Sequence, residues 1–394
     1  MALRKVAIIG SGQSRFRFRR DDATYAELVR EGVRLALEDA GTGIERVGAV
    51  VYALAPDALI GVSNAERWGA EAVGIDKPMM RLNTGGATGI SAVQAGFYHI
   101  AAGLFDVVLV AGADKVGECG HAQVVLNKIW DPLYERALPL NAINMLSLSA
   151  VRYMAQYGMT EEHMAMTTVK NRHNAARNPN AHLRDEVTLQ QVLDSPPLCW
   201  PIKRLDACPQ SSGGAALVLA SEEVARKLCP RPAWVRGVGG CAESYFMGDR
   251  MGPMAPQDHA DATALGLSFQ SAYRMAGITR PAEQIDVAEL YAPFSNTEFH
   301  AIDATGVCAK GESLRLMERG HFALGGPFPV NPSGGTQCTN PIAVTAMLRV
   351  IEAALQVMHK AGEHQVPDVR TAIASGNGGD HQFFGTMVLS SDPG

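Results

Sequence analysis

Two glycine-rich corners constrain this chain more than any other feature. Asn83-Thr-Gly-Gly-Ala-Thr-Gly89 and Asn331-Pro-Ser-Gly-Gly335 each lead into a long apolar stretch of helical spacing, at 90–102 and 342–359. Glycine supplies the left-handed backbone and close approach that a sharp strand-to-helix corner needs. The surroundings of the two corners also match. Apolar runs that read as buried strands occupy 5–10 and 47–53 in the first half, and 234–238 and 285–290 in the second. Helices predicted at 24–40 and 262–276 stop at Gly41 and Gly277, which are 236 residues apart, while Gly86 and Gly335 are 249 apart. Two similar offsets in the same order predict a duplicated α/β unit. The alternative is coincidence between two ordinary α/β halves.

Further apolar runs at 105–111, 213–220 and 370–375 read as strands, the last leading into Gly376-Asn-Gly-Gly379, and Glu222–Leu228 reads as a helix. The stretch 116–204 breaks this rhythm. It is richer in Met, His, Asn and Pro and reads as a large insertion between sheet elements. At 394 residues the chain exceeds the size at which single cores stop growing. Two units are expected, 1–229 (carrying the insertion) and 230–394.

The net charge of -5 and the absence of a long basic run exclude nucleic acid as an expected partner. Seven scattered cysteines with no CxxC pair argue against a zinc site or a disulfide framework, so no metal is expected. The N-terminal residues run straight into a strand with no signal peptide. No uncharged apolar stretch is long enough to span a bilayer. A cytoplasmic location is the expectation.

Three motifs then carry a resemblance. Glu289-Leu-Tyr-Ala-Pro-Phe-Ser295, Asn331-Pro-Ser-Gly-Gly335 and Ser375-Gly-Asn-Gly-Gly379, set in duplicated halves, resemble the thiolase superfamily over nearly the whole chain. The branch is similar to sterol-carrier-type thiolases and bacterial lipid-transfer-protein aldolases. The resemblance implies a thiolase-like α/β fold: duplicated βαβαβαββ halves in a five-layered αβαβα core with a loop-domain insertion. It implies an acyl-CoA substrate, with coenzyme A as part of that substrate and no tightly bound cofactor. It also implies a homodimer and a complex with a small zinc-ribbon/OB-fold protein.

The chain departs from the family pattern where the chemistry resides. Where thiolases carry Cys-Ala-Ser-Gly at a helix N-terminus, this sequence has Gly86-Ala-Thr-Gly89, so Gly86 stands at the nucleophile position. The Gly-His-Pro position reads Thr339-Asn-Pro341, and the late cysteine position falls at Ser375 or its neighbour. Tyr291 stands where the branch usually has a histidine. Without a thiol at that position, acyl transfer through it is chemically excluded. The aldolase relatives share the pattern of a tyrosine and no cysteine, which implies retro-aldol cleavage of a β-hydroxyacyl-CoA, from a steroid side chain or a similar substrate.

That reaction needs a base for the β-hydroxyl proton and an oxyanion hole for the thioester enolate. Tyr291 is the candidate base; the alternative is a strand-end tyrosine packing its ring in the core. Backbone amides at Gly86 and Gly379 are oxyanion candidates, or they only satisfy turn geometry. Asn340, at the family's histidine position, is a candidate donor to the thioester oxygen. Cys338 is the rival catalytic group, against the reading of an inert buried thiol. His381, after the final glycines, and His121 are placed to reach the same pocket. Lys115 is the only near candidate for a Schiff-base lysine. Met145–Met166 shapes either an apolar pocket or a core. An acyltransferase using another nucleophile and a non-catalytic acyl-CoA scaffold stay open as alternatives.

Overall fold

A computed structural model of the chain describes residues 3–251 and 258–394. Nine strands form one sheet: β1 Val6–Gln13, β2 Ala49–Ala53, β3 Met79–Leu82, β4 Val107–Lys115, β5 Ser212–Ser221, β6 Ala233–Ala242, β7 Val287–Glu289, β8 Thr371–Gly378 and β9 Phe383–Ser390. Their order is β3-β2-β4-β5-β1-β6-β9-β8-β7. The first five strands form one block and the last four another. Two residue pairs join the blocks, Ala7 with Trp234 and Ile8 with Ala233.

The blocks are the same object twice. In the first, β3 and β4 flank β2 in parallel, followed by antiparallel β5 and β1. In the second, β8 lies parallel to β7, followed by antiparallel β9 and β6. The place that β3 fills in the first block is held in the second by a single parallel bridge between Ala288 and Val330. The duplication read from the glycine offsets is therefore a duplication of topology.

The layers follow from small residues. Helix α1 (Tyr25–Asp39), started by a Thr24–Glu27 capping box, packs on the outer face of the first block. A Cβ on Gly12 would lie 2.3 Å from the Gly32 carbonyl in α1. Helices α2 (Thr88–Ala101) and α3 (Ile342–Met358) pack side by side between the blocks. A Cβ on Gly96 of α2 would meet Leu219 of β5 at 2.7 Å, and one on Gly376 of β8 would meet Ile90 of α2 at 2.4 Å. Helix α4 (Thr263–Ala276) covers the outer face of the second block, with a Cβ on Gly239 only 2.0 Å from the Ser268 carbonyl. The order is helix, sheet block, helix pair, sheet block, helix, the five layers that the resemblance implies.

Helix α2 begins at Thr88, two residues before the expected 90, because the Thr88 hydroxyl accepts from the Thr84 amide (2.9 Å) and donates to the Gly85 carbonyl (2.5 Å). This hydroxyl extends the helix into the glycine corner. Strand β9 is absent from the sequence-based expectations; a tight turn after Gly378 returns the chain antiparallel to β8. The insertion contains two long helices, Ala142–Tyr157 and Glu161–Ala175. Met145, Met159 and Met164 lie buried there in a second core with Tyr153 and Phe299, so these methionines are core. No helix among the described residues is long and apolar enough to cross a membrane.

Candidate active site

The first glycine corner meets the end of β8. A Cβ on Gly378 would lie 2.0 Å from the Thr84 carbonyl oxygen and 2.6 Å from the Ala87 nitrogen, so the first corner rests directly on the strand. The second corner holds the chain after β7. Asn331, in the left-handed region at φ 53, accepts the Leu290 amide on its side-chain oxygen at 2.7 Å. The Tyr291 amide donates to Ser375 Oγ at 3.0 Å. These bonds fix where the Tyr291 ring points: a Cβ built on Gly86 would be 2.4 Å from Tyr291 Oη and 2.5 Å from the Asn377 carbonyl. The phenol occupies the space that a side chain at position 86 would need.

Around this contact lies a cavity of about 600 Å³, bounded by the first corner, the end of β8 and the insertion. Leu126, Ile143, Leu146, Phe294 and Phe383 give it an apolar wall. Its polar groups include Tyr291, Asn340, Cys208, Asn377, Asp380 and Arg204, with Gly86 and Gly379 beside them. An apolar cleft with a few convergent polar groups is the usual form of a small-molecule site.

Four of the seven expected site residues therefore share one cavity: Tyr291, Asn340, Gly86 and Gly379. Burial, with Cys208 and Asp380 adding to it, pushes the Tyr291 phenol far above its ordinary range. At neutral pH it is a protonated donor, so the expectation that it serves as a base on its own meets a physical objection. Asn340 is locked in place. Its Oδ1 accepts from Thr345 Oγ1 at 2.8 Å and its Nδ2 donates to Cys208 Sγ at 3.0 Å.

The other three lie elsewhere. Cys338 is fully buried against Ala175 and Ala181, off the cavity wall, where burial pushes its thiol up to about 12. His381 does not line the cavity. Its ring packs 5.6 Å from His259 and 6.1 Å from Phe384, with a buried Nε2 that has no hydrogen-bond partner. His121 is exposed just before the short helix Ala122–Leu126. Lys115 pairs with Glu118 at 2.9 Å and donates to the carbonyls of Arg20 and Ala23, a structural tie rather than a free amine.

Sequence reasoning missed Cys208, Asn377, Asp380 and Arg204. Asp380 immediately follows the Gly376-Asn-Gly-Gly379 motif, and that adjacency was the available signal. Gly379, Asp380 and His381 are three consecutive left-handed residues, with φ 61, 49 and 65. Arg250 braces them, its Nη1 donating to the carbonyls of Asp380 (3.1 Å) and His381 (2.9 Å). Burial pushes the Asp380 carboxyl up to about 7, opposed only by the Arg250 guanidinium. Cys208 is the one cysteine on the cavity wall among the described residues, and burial pushes its thiol up to about 12.

Comparison with known proteins agrees with this architecture. Residues 6–194 match the family model for the thiolase N-terminal domain, and residues 253–391 match that for the thiolase C-terminal domain-like family. Acetyl-CoA acetyltransferase of Methanothermobacter thermautotrophicus is 28% identical, over 96% of this chain and 97% of that protein. Sterol carrier protein 2 of Homo sapiens is 27% identical, over 94% of this chain and 69% of that one. The solved Ltp2-ChsH2(DUF35) aldolase superposes with a TM-score of 0.83 at 25% identity, covering 98% of this chain and 97% of the other.

Proposed function

The chain belongs to the thiolase family as a thiolase-like enzyme of acyl-CoA substrates, and we propose that it cleaves a β-hydroxyacyl-CoA by retro-aldol chemistry. The observation that carries this reading is the Tyr291 hydroxyl standing where a side chain at position 86 would be. In this proposal the chain lacks the family's cysteine nucleophile, and a phenol takes the space that the nucleophile would use. No acyl-enzyme forms. The bond between Cα and Cβ breaks and its electron pair passes to the thioester as an enolate. The β-hydroxyl gives up its proton and becomes a ketone or aldehyde. Protonation of the enolate at Cα releases the shorter acyl-CoA.

Each group then has a role suited to its environment. The neutral Tyr291 phenol donates to the oxygen that gains charge, beside the amides of Gly86 and Gly379. Asn340, held by Thr345 and Cys208, has a second amide hydrogen to offer the thioester. The apolar wall takes a bulky acyl group such as a steroid side chain. The name of the Ltp2-ChsH2(DUF35) aldolase pairs two components, which supports a companion chain here as well, and the resemblance implies that it is a small zinc-ribbon/OB-fold protein. The edge strand β3, with Met79 and Met80 exposed, is the proposed seam of a homodimer. A cytoplasmic location completes the reading.

Cys208 supports a second reading, an acyltransferase with a displaced nucleophile, since it lines the same cavity. A thiol pushed up to about 12 is protonated at neutral pH, and the thiol is the unreactive form. The test is a panel of β-hydroxyacyl-CoA and β-ketoacyl-CoA compounds, with and without the companion protein. Release of a carbonyl product from the β-hydroxy substrates alone supports the aldolase. CoA-dependent thiolysis of the β-keto substrates supports the acyltransferase.

A further inference from the structure

We propose that Asp380 is the proton carrier of this site. It would take the β-hydroxyl proton as the carbon–carbon bond breaks, then return it to Cα of the enolate. This assignment rests on the retro-aldol reading. It deepens that reading by supplying the base that a buried, protonated Tyr291 cannot be.

Three observations meet at this residue. Asp380 lines the cavity together with Tyr291. No hydrogen bond among the described residues engages its carboxylate oxygens, whereas the buried Asp206 and Asp303 accept bonds from Ser295 and Tyr153. A carboxylate at a cavity wall without a protein partner is available to a substrate hydroxyl. Its backbone is also held in a sparsely populated conformation, within the left-handed run Gly379–Asp380–His381. For a residue other than glycine such a conformation persists where the surrounding structure over-determines it. Here Arg250 provides that bracing by clamping two of the three carbonyls.

The surrounding charges suit the role. Arg250 is the cation that faces the Asp380 carboxyl, and it favours the carboxylate. His259, His300 and His381 behind the turn are all held neutral by burial, so they bring no positive charge that would trap the carboxylate. Tyr291 and Cys208, on the walls of the same cavity, are protonated. A group that titrates near neutrality can both accept and return a proton, which is the condition for efficient general acid–base catalysis. Proton and electron pair balance within the substrate: the proton lost from oxygen reappears on carbon, and no external reactant enters.

The experiment uses the full chain with its companion protein. Carbonyl release from the active β-hydroxyacyl-CoA is followed for wild type, Asp380→Asn and Arg250→Met. Deuterium uptake at Cα of the product acyl-CoA in D2O is measured by mass spectrometry on the same samples. Calorimetric binding of the product acyl-CoA checks that each variant is folded. Asp380→Asn is expected to bind product as wild type does, yet lose about 100-fold or more in both carbonyl release and deuterium uptake. Wild-type kcat/KM is expected to rise with pH through about 7, as the carboxylate forms. In Arg250→Met, without the guanidinium, that limb is expected to move to higher pH. Wild-type carbonyl release retained within a few fold by Asp380→Asn would overturn the assignment and leave the retro-aldol reading intact. Absence of carbonyl release by wild type from every β-hydroxyacyl-CoA would overturn the reading itself, and Asp380 with it.

Discussion

Tyr291 Oη lies 2.4 Å from where a Cβ on Gly86 would sit. The two residues exclude one another: a tyrosine in this pose requires glycine at 86. The Asn377 carbonyl, 2.5 Å from the same point, closes the other side. Gly86→Cys is therefore not a restoration of thiolase chemistry. It should destabilise the fold by about 1–3 kcal/mol through overpacking and abolish carbonyl release. Gly86→Cys combined with Tyr291→Ala should recover part of that stability, because one of the two clashes is gone. Denaturant unfolding of the two variants checks this, and equal stabilities would contradict it.

The residue two places before Tyr291 anchors the segment. Glu289 is fully buried, paired with Arg349, and accepts from Ser333 Oγ at 2.8 Å and the Ser333 amide at 3.0 Å. Arg349 also faces the buried Glu352, which pairs with His364 at 2.9 Å. Breaking a buried pair leaves an uncompensated charge, at about 3–5 kcal/mol. Arg349→Met should cost more stability than Glu289→Gln, since it leaves two carboxylates without their shared cation. The double variant should cost less than the sum of the single ones. A double-mutant cycle in urea measures this directly.

Acid should weaken the fold through the histidines behind the cavity. Burial lowers His259 to about 4 and His300 to about 3, both below the ordinary value of 6.5. The unfolded chain thus binds protons that the folded chain refuses. The sign follows: stability is intact above 6.5 and falls as pH drops from 6.5 toward 4. For His259 the shift corresponds to about 3 kcal/mol. Unfolding midpoints between pH 7 and 4.5 should decline, and His259→Gln should make the decline shallower. A decline of unchanged slope in that variant would remove His259 from this account.

The two cysteines near the site should separate cleanly. Cys338→Ala, off the cavity, should leave the rate of carbonyl release within a few fold of wild type. Cys208→Ala removes the acceptor that holds Asn340 Nδ2, and should raise KM more than it lowers kcat. Steady-state kinetics on both variants decides this, and a large loss from Cys338→Ala would put a catalytic thiol where the cavity does not reach.

Much of this was legible in the chain. The glycine corners and helix stops carried the duplicated topology because backbone geometry dictates glycine at fixed places, as at Gly85 and Gly379. Tyr291 and Gly86 stood out because each sits inside a motif. Their mutual contact was not legible, since 205 positions separate them in sequence and only the layer packing brings them together. Asp380 and Cys208 were missed for a different reason. Cys208 sits in no motif and Asp380 only follows one, and what marks both is their place on a cavity wall, a property of the fold. Cys338 and His381 were misplaced relative to the cavity because proximity to a motif does not fix the direction of a side chain. Cys338 sits in the turn Gly335–Cys338 and faces the helix Glu161–Ala175 instead.

The most direct test of the central claim is intact-protein mass spectrometry on enzyme quenched during turnover of a β-hydroxyacyl-CoA, with carbonyl product measured in the same sample. Cleavage without an acyl-enzyme predicts carbonyl release from wild type at unchanged protein mass, and loss of that release in Tyr291→Phe. An acyl mass added to wild type, on Cys208 or on Cys338, would contradict it.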